Sequence, residues 1–479
     1  MLGQGTAGYQ VSTPWPGWAE TSPEHWWQAT CTAVRAAVGP ASAEVAGLAV
    51  AGQMHGLILC AERAVALRPA ITWLDRRAEA EADEYQRLGE DLRARLGNAP
   101  SPGMAGPILL WLARHEPDVY WQARWMLQPK DWLWHHLTGV EGRTGGGAQA
   151  VTDPTDASGT LLAVLLYPGL AGTWATDVAR AFGLRTDLLP PIRPPAEIAG
   201  PLLPGPAQHL GLPPGLPVAI GAADTAASLL AARLPSPVAP SGPWGLLTLG
   251  TGGQLIVSTP PNSDTPFPYY PDSRNRTVNL FRSVDGGTYV LAAAQNVGVT
   301  LDWVRRTLDA SWDELYDTAA SPWRADTPVF LPYLVGERWD HRASGGAWTG
   351  LTLAHQRDDL LRAALEGVAF LLRGKLEDLR AYGTPSPVAL QLGGGGSRHP
   401  AWRQLLADAL AVPLYPDLAG TGWLTARGAA QLAAAAAGLV PDASTPVRSG
   451  QNSEPVVAAS QLAEASYHRF ASAASQQNR

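Results

Sequence analysis

The first segment with a readable period opens at Ser22-Pro23-Glu24. Trp27, Cys31, Val34 and Val38 recur at helical spacing behind it, which predicts a helix. Ser22 suits its cap, Pro23 its first position and Glu24 its positive end. Gly39-Pro40 stops it. The apolar run Val45–Val50 then predicts a strand leading into Ala51–Gly56, and Leu57-Ile58-Leu59-Cys60 makes a second apolar run. Residues 77–139 are expected to be mostly helical. Ile108–Leu112 has no polar face there and is expected to be buried. The glycine-rich stretch 141–149 predicts a surface loop. Prolines crowded from Leu188 to Leu216 predict an irregular, exposed segment. Pro217–Ile220 reads as a short strand running into Gly221–Asp224.

The second half repeats this style. A loop from Pro235 to Pro243 precedes a strand over Trp244–Leu249. A domain boundary is therefore expected near residue 238, giving domains 1–238 and 239–479. A helix is predicted over 356–382. A short strand, Val388–Leu390, leads into the glycines 393–396, and another helix starts near Pro400. The polar tail from Asp442 carries one short predicted helix, near Leu462–Ala471. Strands ending in glycine turns and followed by helices are an α/β pattern.

Composition narrows the function classes. The 479 residues are 46% hydrophobic, enough for two substantial cores. Net charge is −7 with no basic face, so nucleic acid is not an expected partner. Cys31 and Cys60 form neither a disulfide framework nor a metal-ligand spacing. Lys130 and Lys375 are the only lysines. Arginine carries the rest of the positive charge, which reads as coding bias. No uncharged apolar run is long enough for a bilayer and no secretory signal opens the chain, so a cytoplasmic protein without membrane partners is expected.

Five places carry candidate chemistry. Gly393–Gly396 and Ser397 lie between a strand and a helix, a geometry that suits phosphate or nucleotide as well as a plain tight turn. Leu249-Gly250-Thr251-Gly252-Gly253 is a second glycine turn. It is readable as a hairpin between Leu246–Leu249 and Gln254–Val257 whose tip can also meet phosphate. Asp224 ends a buried-looking strand among small residues, where it serves equally as a cap for Thr225–Leu230 or as a catalytic carboxylate. Met54-His55 follows a strand between glycines, although a lone histidine is more often structural. Trp73, Asp75 and Arg77 fit a sugar-binding trio, and fit the commoner surface ion pair over an aromatic ring.

Taken in order, these pieces resemble the FGGY family of carbohydrate kinases, on its xylulose-kinase side. The stretches that carry the resemblance are GWAETSPEHWWQA (17–29), AGQMHG (51–56), ITWLDRR (71–77), LQPKDWLWHHLTG (127–139), TDPTDASGT (152–160), GAADTAAS (221–228), LTLGTGG (247–253), FLPYLVGER (330–338) and LGGGGSRHPAWRQLLAD (392–408). The resemblance implies two ribonuclease-H-like (actin/hexokinase-type) domains, the first holding sugar and the second nucleotide, with an interdomain cleft. It implies ATP and Mg2+ as cofactors and phosphorylation of the 5-hydroxyl of D-xylulose. Asp224 matches the general base and a sugar ligand. Met54 and His55 match the sugar pair, with Trp73, Asp75 and Arg77 beside them. Gly250, Thr251 and Gly252 match a phosphate loop, and Gly394, Gly395 and Gly396 the adenosine loop. No residue is assigned to the metal. The partners expected are a small ketose and ATP, with a homodimer as the assembly to test.

Three departures stand out. Met1 aligns after the family's opening hairpin, whose first strand ends in Asp-x-Gly-Thr. About 20 residues are thus expected to be missing, and Gly3-Gln4-Gly5-Thr6 is read as the following strand. Gly252 stands where the family often has serine. Gly336-Glu337-Arg338 runs into Trp339-Asp340-His341 where Thr-Pro-His is usual. Two further functions compete with a D-xylulose kinase: a non-catalytic sugar-binding remnant, and a kinase for another ketose such as sedoheptulose or ribulose.

Overall fold

The computed structural model describes residues 3–139, 149–165, 172–232, 242–259, 277–337, 345–417, 422–439 and 452–477. The loops expected over 141–149 and 235–243 lie outside these except for residues 149, 242 and 243, as does the Arg338–His341 departure. The chain divides into two units that are not contiguous in sequence. The first is Met1–Ala231 with Phe281–Gly287 and Thr425–Ala443; the second is Ala232–Leu280, Thr288–Leu424 and Ser444–Arg479.

In the first unit the helix Pro23–Val38 forms as its signals predict. The Ser22 hydroxyl accepts from the Glu24 N–H, and Gly39 ends the helix at φ 48°. Residues 3–11 contain no strand. Gly3 and Gly5 instead lie so close to the helix backbone at Ala37 and Ala33 that a Cβ on either would sit about 2 Å from a carbonyl oxygen. The expected strand over Gly3–Thr6 is therefore replaced by an irregular segment packed on a helix.

The strand predicted over Val45–Val50 forms at Leu48–Gly52. It pairs in parallel with Pro217–Ala223, which on its other side pairs antiparallel with Ile198–Pro201. The run Leu57–Cys60 is wholly apolar because it serves two cores. Ile58 and Cys60 join Trp26, Trp132 and Ile220, whereas Leu57 and Leu59 join Ile108, Leu109 and Leu112. Ile58–Cys60 pairs with Trp125–Leu127, a strand inside the region expected to be helical. Helices Pro117–Gln122 and Pro129–Thr138 flank that strand in sequence.

The proline-rich 188–216 region is more ordered than expected. Ile198–Pro201 is an edge strand whose last residue is the proline, and Pro204 opens the helix Pro204–Leu210 at its first turn. Both are positions where the missing N–H costs nothing. Leu202, Ala207, Leu210 and Leu212 are buried beneath them.

The second unit is built on a six-stranded sheet in the order Val278–Arg282, Thr288–Ala294, Gly253–Thr259, Trp244–Leu249, Ala389–Gly393, Leu414–Pro416. Trp244–Leu249 and Gly253–Thr259 are the predicted hairpin. Trp244–Leu249, Ala389–Gly393 and Leu414–Pro416 run parallel to one another. The 25-residue helix Arg357–Ala381 is capped by Gln356 and buries Leu361–Arg373. The C-terminal helix spans Val457–Gln477, more than twice the expected length, because Ala463, Tyr467, Phe470 and Ala474 continue one buried stripe.

Candidate active site

Pro217–Ala223 is flanked by a strand on each side, so Val218–Ala223 are all buried and the run has no polar alternation. The chain turns directly from this strand into the helix Asp224–Ala231. Asp224 is thus the first polar residue after six buried ones, half-buried at the strand's C-terminal end. Its Oδ1 accepts from the Thr225 N–H at 2.6 Å and the Thr225 hydroxyl at 3.1 Å. Both bonds fall on one oxygen. Burial pushes the Asp224 carboxyl above the ordinary aspartate range, and the two Thr225 bonds oppose that push.

Met54 and His55 occupy the turn after Leu48–Gly52, and Met54 is buried. His55 takes φ 74°. Its N–H donates to Gln128 Oε1 at 3.1 Å, and its Nδ1 lies 2.7 Å from the Gly159 carbonyl oxygen. The ring packs against Phe281 with centroids 5.6 Å apart. Gly159 must be glycine for this arrangement: a Cβ there would stand 2.9 Å from both His55 Nδ1 and Met54 Cε. The segment carrying Gly159 also reaches the Asp224 strand, since Thr155 Oγ1 accepts from the Ala223 N–H at 2.8 Å. Residues 152–160 therefore bridge His55 and the start of the Asp224 helix.

Asp75 and Arg77 sit elsewhere in this unit and are internal. Arg77 Nε and Nη2 donate to the two Asp75 carboxylate oxygens at 2.9 and 2.8 Å, and the Ala19 N–H donates to Asp75 Oδ2 at 2.6 Å. Arg77 also pairs with Glu20 at 2.6 Å, and Glu20 pairs with Arg68. The guanidinium lies 3.6 Å over the Trp18 ring. Side-chain exposure is 1% for Arg77 and 0% for Asp75. The pair is therefore not on the surface. Trp73 is half-buried, with its backbone against Gly103.

The first unit contains a charged cluster that sequence reasoning did not single out. Lys130 Nζ lies 2.6 Å from Asp131 Oδ1, 3.3 Å from Asp153 Oδ1 and 3.4 Å from Asp156 Oδ2, with every side chain at most 1% exposed. Burial alone would pull the Lys130 ammonium down, but three carboxylates hold its pKa above the usual lysine value. Burial raises the Asp131 carboxyl and raises Asp156 much further, with Asp153, Asp131 and Asp224 adding repulsion. One cation faces three buried acids, and Asp156 is the acid whose ionised form is most disfavoured. The available signal was the rarity of lysine: a lysine kept in a chain that otherwise uses arginine.

In the second unit the two glycine turns follow neighbouring parallel strands, with Gly393 in register with Thr248. They therefore emerge side by side. Gly394 takes φ 85°, and a Cβ on it would stand 2.5 Å from the Leu249 carbonyl oxygen. Gly395–Ser397 makes a short turn before the helix Pro400–Leu410. Gly250 and Thr251 are exposed. Their carbonyls accept from Gly298 N–H at 3.1 Å and Val299 N–H at 2.9 Å, which anchors the loop. Gly252 lies between them and the second strand.

The other lysine lies behind this loop. Lys375 is 3.7 Å from Glu337, whose Oε1 accepts from Gln295 N–H at 3.2 Å and from Asn296 Nδ2 at 2.8 Å. That network fixes the turn leading to Gly298. Among the described residues no three His, Cys, Asp or Glu side chains are grouped to hold a metal ion.

Comparisons with known proteins agree on one family. Residues 1–231 match the model of the N-terminal domain of the FGGY family of carbohydrate kinases, and residues 245–437 match that of its C-terminal domain. The chain is 33% identical over 434 residues to a xylulose kinase of Escherichia coli K12, covering 89% of this chain and 84% of that protein. It is 34% identical over 433 residues to a xylulose kinase of Klebsiella pneumoniae, covering 88% and 83%. The crystal structure of xylulose kinase from Rhodospirillum rubrum superposes with a TM-score of 0.80 at 28% identity, over 98% of this chain and 92% of that one.

Proposed function

Because the chain belongs to the FGGY family of carbohydrate kinases, an ATP-dependent sugar phosphotransferase, we propose that it phosphorylates D-xylulose at the 5-hydroxyl with Asp224 as general base. The observation that carries the base assignment is the geometry at the strand end. Asp224 uses one oxygen on Thr225, follows six buried residues, and is tied through Ala223 and Thr155 to the segment that holds His55. Xylulose kinases among the similar proteins support the acceptor.

In this reading Met54 and His55 bind and orient the ketose, with Gly159 leaving room for both. As the 5-oxygen attacks the γ-phosphorus, its proton passes to Asp224 and ADP leaves with the bridging oxygen. A base whose carboxyl is raised by burial accepts that proton more readily than an ordinary aspartate. The backbone of Gly250–Gly252 and the Thr251 hydroxyl supply donors to phosphate oxygens, and Gly394–Gly396 allow close approach of the adenosine. Positioning and charge stabilisation dominate such transfers. Trp73, Asp75 and Arg77 act as support for the fold. Mg2+ usually takes one or two carboxylates, several waters and substrate phosphates. The described residues offer it no cage of His, Cys, Asp or Glu side chains.

The test is ADP release across a panel of D-xylulose, D-ribulose and sedoheptulose, for the wild type and Asp224→Asn. The highest kcat/KM should fall on D-xylulose and be lost in the variant. A tenfold preference for another ketose would overturn the acceptor. Near-normal turnover by the variant would overturn the base.

A further inference from the structure

We infer that Lys130 is a positioning residue for phosphoryl transfer: through two separate arms it fixes the Asp224 carboxylate and the His55 imidazole relative to one another. The inference rests on the roles proposed above for Asp224 and His55.

The first arm runs toward the base. Lys130 Nζ holds Asp153 Oδ1 at 3.3 Å. The other oxygen of Asp153 accepts from the Thr155 N–H at 2.8 Å and the Thr155 hydroxyl at 2.6 Å. With its proton directed to Asp153, the Thr155 oxygen is left to accept from the Ala223 N–H at 2.8 Å. Ala223 is the residue before Asp224. The second arm runs toward the sugar. Lys130 stands in the first turn of Pro129–Thr138, whose cap residue Gln128 accepts from the His55 N–H at 3.1 Å. Gly52, two residues before Met54, packs directly on Lys130, since a Cβ there would fall 2.8 Å from the Lys130 Cβ.

The cluster is not explained by stability. Buried ion groups replaced by apolar residues of similar volume are often neutral or more stable, because desolvation offsets the Coulombic gain. Here Asp153 Oδ1 and both Asp156 oxygens make no hydrogen bond among the described residues, so the cluster is held by charge with little hydrogen-bond return. What it uniquely provides is a single rigid point shared by both arms. Acids on two segments, Asp131 on one and Asp153 and Asp156 on the other, converge on one ammonium that a neutral side chain cannot replace geometrically.

Three variants separate the arms. Thr155→Val keeps shape and removes only the hydroxyl between Asp153 and Ala223. It should lower kcat about tenfold with the D-xylulose KM within twofold, the scale of a sub-ångström misplacement of a catalytic group. Gln128→Ala should do the reverse, raising KM several-fold with kcat nearly kept. Lys130→Met should do both, with the KM for ATP unchanged. If Lys130→Met does not fold, the first two variants decide alone. Rates are normalised to folded enzyme by circular dichroism. Both single-arm variants within twofold of wild type in kcat and KM, or both moving kcat and KM together, overturn the positioning role. The underlying reading fails separately: it falls if the wild type ignores D-xylulose or if Asp224→Asn retains turnover, whatever Thr155→Val does.

Discussion

Arg77→Leu tests the assignment of Asp75 and Arg77 to support of the fold. Leucine keeps much of the buried volume, so the perturbation is mainly electrostatic. The substitution removes two charge-assisted bonds to Asp75, at 2.9 and 2.8 Å, and one to Glu20 at 2.6 Å. It also removes a cation held 3.6 Å over Trp18. Glu20 retains Arg68, and Asp75 retains the Ala19 and Arg77 backbone donors, so neither acid is wholly abandoned. Breaking a buried pair by deleting one partner costs about 3–5 kcal/mol, and the surviving partners place this case at the lower end, about 3 kcal/mol. For a unit of this size that corresponds to a fall of roughly 6–12 °C in melting temperature. Differential scanning calorimetry of wild type and variant measures it on the transition of the first unit. In parallel, the D-xylulose KM at 20 °C should stay within about twofold, since both side chains are at most 1% exposed. A variant that melts within 2 °C of wild type while its KM rises tenfold would refute the reasoning and restore Arg77 to the sugar site.

Asp224→Ala should lower kcat by roughly 10²–10⁴-fold while sugar binding by calorimetry changes little, the usual scale for losing a general base. The base must be ionised to work and burial raises its pKa, so kcat should rise with pH along an acid limb above the ordinary aspartate range. The linkage has the opposite sign for stability: the folded state binds the Asp224 proton more tightly than the unfolded chain, so this residue's contribution falls as pH rises from the unfolded to the folded pKa. A limb at or below pH 4 would contradict the assignment. His55→Ala should raise the D-xylulose KM about tenfold with ATP affinity unchanged, because its imidazole bond to Gly159 and its contact with Phe281 lie in the first unit; a variant that only melts, with normal KM while folded, would mark the histidine as structural. Gly394→Ala should weaken ATP binding more than tenfold, since both φ 85° and the 2.5 Å approach to the Leu249 carbonyl exclude a side chain; unchanged nucleotide affinity by fluorescence titration would separate this loop from the adenosine.

Local chemistry was legible in the residues wherever a short stretch carries its own signal. Ser22-Pro23-Glu24 announced a helix start, Gly39 its end, and the hairpin around Gly250–Gly253 and the strand–glycine–helix at 389–400 formed as their patterns required. Asp224 at a strand end and the Met54-His55 turn were visible for the same reason. Three outcomes needed the tertiary structure. The proline-rich 198–210 region became strand and helix because an edge position and a first helical turn do not use the N–H that proline lacks. Asp75 and Arg77 turned inward because Glu20, the Ala19 N–H and Trp18, more than fifty residues away in sequence, satisfy them there. The scarcity of lysine beside arginine read as coding bias, but the two lysines the chain has, Lys130 and Lys375, are both buried in ion networks, one tied to the Asp224 and His55 segments and one to the turn before Gly298. A charge's meaning depends on which opposite charges the fold brings within about 4 Å and how much water it removes, and neither quantity is written in the order of the residues.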